Sequence, residues 1–202
     1  GASFSPPDLF TVQYLSDSLH TALTSLGVES CYTFGHHTGA AIAVQMAYDH
    51  PRFIKRAVLS GPPLLSVVQV NGLRASLQAI RIADDGGHLV QVWERIRKRD
   101  SALALEIVHR EVLLTQSARD AAQGTYQAVF DQPFGEQLAV LEIPILVMAG
   151  ENDTLRASLE PAHKLLRNGE MRVIVGEGAY ICDTNPQAVA EILKSFLRSE
   201  TC

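Results

Sequence analysis

Apolar positions along the chain change period from one stretch to the next. Residues 10–26 carry Leu15, Leu19, Leu23 and Leu26 at spacings of four, four and three, which predicts one face of a helix stopped by Gly27. A short β-rich run follows, Cys31-Tyr32-Thr33-Phe34, and meets Gly35-His36-His37-Thr38-Gly39. Small apolar residues (Ala40, Ala41, Ile42, Ala43) come next, as a helix pressed on a sheet needs, and the helical pattern ends near His50-Pro51. The expectation is a strand, a sharp turn and a helix. Residues 55–60 (KRAVLS) read as the next buried strand, with Gly61-Pro62-Pro63 as its exit. A strand–helix–strand unit favours a parallel sheet with a right-handed crossover.

From residue 64 to residue 141 the period is helical. Leu89, Val92, Trp93 and Ile96 form one stripe and Leu103, Ile107 and Val108 another, with breaks at Asp84-Asp85-Gly86-Gly87 and at Asp131-Gln132-Pro133. Alternation of strand and helix returns at 143–149 (IPILVMA), apolar enough for a central parallel strand. Gly150-Glu151-Asn152-Asp153 follows, then a helix over 159–166, a strand over 171–175 and a loop over 176–185. Asn185 as N-cap and Pro186 in the first turn open a last helix, whose buried stripe is Val189, Ile192, Leu193, Phe196 and Leu197. The chain is therefore expected to be α/β, with a mostly parallel sheet in two parts, 1–63 and 142–202, around a helical insertion at 64–141.

Composition narrows the function classes. The chain has 202 residues, 47% apolar and 19% charged, which is globular and within the size of one core. A formal charge of −5 without basic clustering argues against nucleic acid as a partner. The one basic run, Arg95 to Arg99, is flanked by Glu94 and Asp100 and reads as a solvated helix face. Cys31, Cys182 and Cys202 have no metal-type spacing and read as free thiols in a reducing compartment. No run approaches the ~20 apolar residues of a membrane span, so a cytoplasmic protein without membrane contact is expected.

The turn at residue 37 carries the chemistry. Two glycines flanking an apex residue accept unusual backbone angles and let a helix start hard against a strand, pushing the apex out at the top of the sheet. The passage GHHTGAAIAVQMAYDHP resembles the nucleophile elbow, G-x-S-x-G, of the α/β-hydrolase family, down to His36 before the apex and the Tyr-Asp-His-Pro exit. Here the apex is His37 instead of Ser, Cys or Asp. Other pieces also resemble the family: Gly1-Ala2-Ser3 as its G-x-S loop, Leu26-Gly27-Val28 as the link before the elbow strand, the insertion as a helical cap, and Gly150 to Asp153 as the loop with the triad acid. The resemblance implies an α/β-hydrolase sheet whose first strands are absent from this chain. Cys31 to Phe34 would then be an exposed apolar edge, to be completed by a second chain or a missing N-terminal segment; a short, rearranged member is the alternative.

The resemblance further implies that the triad is broken. Gly176-Glu177-Gly178-Ala179-Tyr180 places Ala179 where the family has its histidine base, so of the three groups only Asp153 stands in place. An acyl-enzyme route loses its nucleophile and its base together. What remains is His37 as general acid or base, Asp153 to fix its tautomer, and the Thr38 N–H with the helix N-terminus as an oxyanion site, with His36 supporting the turn. Two readings stay open. One is an enzyme acting on a small carbonyl or carboxylate substrate as a hydrolase, lyase or decarboxylase; the other is an inactive member that binds a small apolar ligand or a protein partner, with His37 filling the old pocket. No cofactor is implied, and no metal site, since adjacent histidines on one turn tend to point apart. Cys182 reads as a small buried hydrophobe.

Overall fold

The computed structural model describes residues 11–77, 80–118 and 120–198. Gly1-Ala2-Ser3 and Cys202 lie outside the described residues. Four strands, β1 (Cys31–His36), β2 (Ile54–Ser60), β3 (Ile145–Gly150) and β4 (Gly169–Ile174), form one sheet in the order β1-β2-β3-β4, all parallel. The α/β class and the parallel sheet expected from the sequence are what the chain forms.

The sheet is buried on both faces because alternate residues feed separate cores. Ala57 and Leu59 of β2 and Ile145, Val147 and Ala149 of β3 join a cluster with α2 (Thr38–Asp49), α7 (Phe134–Val140) and α8 (Leu159–Leu165). Val58, Leu146 and Met148 face the other way, onto α10 (Pro186–Arg198). Two-sided burial is why β3 reads as a continuous apolar run. On α10, Val189 and Phe196 are buried and Ile192, Leu193 and Leu197 pack on the same cluster, the stripe expected. Its cap is also as expected: the Ala188 N–H donates to Asn185 Oδ1 at 3.2 Å.

The first helix, α1 (Val12–Ser25), corrects the expected face. Its buried positions are Val12 and Ser16, with Leu23 partly buried, while Leu19 and Leu26 are exposed. The cause is the neighbour: α1 packs on α2, and Val12 joins the core cluster that holds Ala40, Ala41, Ala43 and Ala47 of α2. A small Ser16 suits that contact better than the longer leucine line. Thr11 caps the helix, its hydroxyl accepting from the Tyr14 N–H at 3.1 Å.

By compactness the described residues divide into two units, one of 67–127 and one holding the sheet with 11–66 and 128–198. In the first, α3 (Val67–Ser76) is followed by α4 (Gly87–Arg99) and α5 (Leu105–Ala118), which pack together, with Val92 and Ile96 of α4 and Val108 and Val112 of α5 buried at helical spacing. Next in the chain comes α6 (Asp120–Asp131), and in the sheet unit α9 (Ile181–Thr184) is the short turn before α10. Leu89, expected in that stripe, is exposed. The α7 helix, grouped with the insertion by its period, packs on α2 and α8 in the sheet unit. No helix among the described residues is long and apolar enough to cross a membrane.

Candidate functional site

At the carboxyl end of the sheet the chain turns from β1 into α2 through one residue, His37, with φ 49° and ψ −109°. It is the one non-glycine with positive φ among the described residues, a conformation that costs on the order of 1–3 kcal/mol. Its N–H donates to the Ser60 carbonyl at 2.8 Å, tying the corner to the end of β2. The flanking glycines do not take the unusual angle; the apex does, which corrects the expectation from the motif. Gly35 is needed for contact, since a Cβ there would lie 2.2 Å from the Gly39 carbonyl oxygen. Gly39 has open space around it.

Asp153 comes from the turn after β3. That turn is held from the far side, because Gly150 is crossed by the 176–178 loop: a Cβ on Gly150 would meet the Glu177 and Gly178 carbonyls at 2.4 and 2.6 Å. The Asn152 N–H donates to the same Glu177 carbonyl at 2.8 Å. So placed, the Asp153 side chain is fully buried, and both of its oxygens face His37 Nε2, at 2.9 and 3.1 Å. Oδ1 also accepts from the Leu155 N–H at 2.8 Å. Burial pushes the carboxyl up, but the bond from His37 with its nearby charge, and the Leu155 N–H, outweigh it and hold Asp153 below the usual range. An ionised carboxylate accepting at Nε2 keeps the proton of a neutral imidazole on that atom and leaves Nδ1 as the basic nitrogen.

His36 and His37 do not point apart, as neighbours on one turn were expected to. Their rings stack, centroids 4.1 Å apart and 19° from parallel, because the residue-37 corner folds the second ring back over the first. His36 Nδ1 shares a hydrogen bond with Ser60 Oγ at 3.0 Å, and the Ala179 backbone bonds the ring as well. Burial first, and the adjacent His37 charge second, lower its pKa to about 4, so His36 is neutral at neutral pH. Thr38 opens α2, and its N–H is one of the four that a helix start leaves outside its own hydrogen-bond ladder. His36, His37 and Asp153 are thus brought into contact, with Thr38 next in the chain. Among the described residues no group of three or more His, Cys, Asp or Glu is placed to hold a metal.

Cys182 is exposed in the short helix Ile181–Thr184 and not the buried hydrophobe expected, because Ile181 takes the buried position of that turn. Partial burial of the thiol and the neighbouring Asp183 push its pKa up, against a reactive thiolate. A cleft of about 620 Å³ opens at the opposite, amino ends of β1 and β2, walled by the stacked rings of His20 and His50, and contains none of the site residues. Sequence reasoning missed Gly61: it has φ +58°, and a Cβ there would lie 2.3 Å from the His37 ring. The Gly-Pro-Pro exit of β2 was the available signal.

The profile of the alpha/beta hydrolase fold family matches residues 1–186, so the chain belongs to the α/β-hydrolase fold family. Within it, the chain is 25% identical over 205 residues to RutD of Serratia proteamaculans, a carbamate hydrolase by provisional name, covering 96% of this chain and 75% of that protein. A hydrolase from Pseudomonas aeruginosa has a similar structure, with a TM-score of 0.80 at 23% identity over 98% of this chain and 76% of its own. An esterase from Thermogutta terrifontis is also similar, with a TM-score of 0.79 at 18% identity over 98% and 76% of the two chains.

Proposed function

We propose that this protein catalyses proton transfer on a small carbonyl or carboxylate substrate, with His37 as general acid–base, Asp153 as the group that fixes its tautomer, and no covalent intermediate. The observation that carries this reading is the pairing of a fully buried, ionised Asp153 with His37 Nε2 at 2.9 Å, at a strained corner where the His37 side chain keeps 27% of its surface in solvent. In a hydrolytic form, Nδ1 takes a proton from water, the hydroxide adds to the substrate carbonyl carbon, and the carbonyl electron pair moves to its oxygen. That oxyanion is stabilised by the Thr38 N–H at the α2 start; its electron pair then re-forms the carbonyl as the bond to the leaving group breaks, and the leaving group takes the proton held on Nδ1. His36 supports the corner through Ser60. RutD's name makes short carbamates the first substrates to try, beside simple esters and β-keto acids.

General-base catalysis is worth about 10²–10⁴-fold. His37→Ala is therefore expected to lower kcat by at least about 100-fold on any substrate turned over, with binding measured by calorimetry little changed. Serine-directed phosphonates are expected to leave the protein unlabelled. Turnover undiminished in His37→Ala, or stoichiometric phosphonate labelling, overturns the reading. A ligand bound with no turnover in either protein instead gives the inactive binding member.

We also infer that a further polypeptide segment pairs along the outer edge of β1. The support is the strand: Tyr32 and Phe34 are 53% and 38% exposed and lie in register with Arg56 and Val58, on the face that α10 covers elsewhere. Free thiols at Cys31 and Cys182 favour a reducing, cytoplasmic setting.

A further inference from the structure

The His37 ring is held on three sides. Asp153 takes Nε2, the His36 ring covers one face at 4.1 Å, and the Cδ2–Nε2 edge rests on Gly61. A Cβ at residue 61 would stand 2.3 Å from His37 Cδ2, 2.6 Å from Nε2 and 3.2 Å from Asp153 Oδ2. Carbon atoms in contact sit about 3.5–4.0 Å apart, so one partner would have to move by more than an ångström. Gly61 is poorly placed to give way: its N–H donates to the Met148 carbonyl at 2.8 Å, and Pro62 and Pro63 follow it. The imidazole is the part that would swing, and a shift of that size takes Nε2 out of hydrogen-bond range of the carboxylate.

We propose that Gly61 is a positioning residue for His37: the missing side chain at the end of β2 is the seat that lets an imidazole occupy this corner and reach Asp153. The apex residue and residue 61 are therefore matched across 24 positions of sequence, and a bulky ring at 37 requires glycine at 61. The catalytic meaning of this seat rests on the proposed role of His37, but its test reads the ring directly and needs no turnover.

The experiment is a double-mutant cycle of Gly61→Ala and His37→Ala, read by urea unfolding and by nitrogen-15 NMR of the imidazoles, with Gly27→Ala as the control. Gly27 has φ +81° and nothing within 4 Å of an added Cβ, so its alanine bears backbone strain alone. Gly61→Ala is expected to abolish the protected Nε2–H signal of His37, which Gly27→Ala leaves in place. It is also expected to lower the urea midpoint more than Gly27→Ala does, and to lose that excess in the His37→Ala background. A retained Nε2–H signal, or an equal loss of midpoint in both backgrounds, overturns the proposal. Should Gly61→Ala alone fail to fold, the proposal requires that the double variant fold; a double variant that also fails overturns it. Loss of the seat and loss of the catalytic role are separable, since the seat is read by NMR and unfolding and the role by turnover and phosphonate labelling.

Discussion

At the scale of single residues, burial decides what His36 can do. It shares a residue type with its neighbour, but its ring is packed under the corner between Ser60 and the Ala179 backbone, and its pKa falls to about 4 from an ordinary 6.5. A base whose pKa is lowered by folding is a proton the unfolded chain binds and the folded chain refuses. Stability from this group is thus complete above about pH 6.5 and is lost as pH falls from 6.5 towards 4. The urea midpoint of the wild-type protein is expected to drop over that interval, and the drop is expected to be shallower in His36→Asn, which keeps a polar partner near Ser60 without titrating there. Parallel midpoint curves for the two proteins from pH 7 to 4.5 would remove His36 as the source. Asp153 acts lower, because a carboxyl held below the usual range costs stability only as it is forced to take a proton in acid. None of this was visible in the pair His36-His37 as letters; it follows from which neighbours each ring meets.

At the scale of elements, the corner between β1 and α2 separates two glycines that the motif treats alike. Gly35 touches the start of the helix it precedes, and a methyl group there would sit 2.2 Å from the Gly39 oxygen, which is backbone and has no rotamer to move. Gly39 faces open space and already lies in helix, where alanine is the better former by about 0.5–1 kcal/mol. Gly35→Ala is expected to destabilise the protein by at least about 3 kcal/mol in urea titration, and Gly39→Ala by less than about 0.5 kcal/mol, or not at all. Equal effects would mean that the helix does not start against the strand as described. Elements were legible where their own sequence dictates them. The strand-turn-helix of residues 31–50, the apolar β3 and the capped α10 all formed near their expected bounds. The face of α1 was not legible, because a leucine line and a Val12-Ser16 line are both helical patterns, and packing on α2 chooses between them.

At the scale of the whole molecule, the sheet has two edge strands among the described residues, β1 and β4, and β1 is the one with large aromatic side chains exposed. β2 and β3 have a strand on each side and cover on both faces, whereas β1 pairs with β2 alone and leaves Tyr32 and Phe34 exposed. An open parallel edge with two large aromatic residues beside it is a surface that stable proteins cover. The purified 202-residue chain is expected to self-associate, and Tyr32→Lys combined with Phe34→Glu is expected to weaken that association at least tenfold in sedimentation equilibrium, with the thermal midpoint nearly unchanged. A wild-type chain that stays monomeric at its highest soluble concentration would show that this edge needs no cover.

The sequence by itself determined the period of each element, the parallel α/β class and the placing of His37 and Asp153 at strand ends, because these depend on local spacing and on how apolar each run is. Only the tertiary structure decided that the two meet at 2.9 Å, that His36 is stacked and kept neutral, and that Gly61, 24 residues beyond the apex, makes room for the ring. The physical reason is that contact between strand ends is set by register and packing across the sheet, and a pattern read along one segment contains neither.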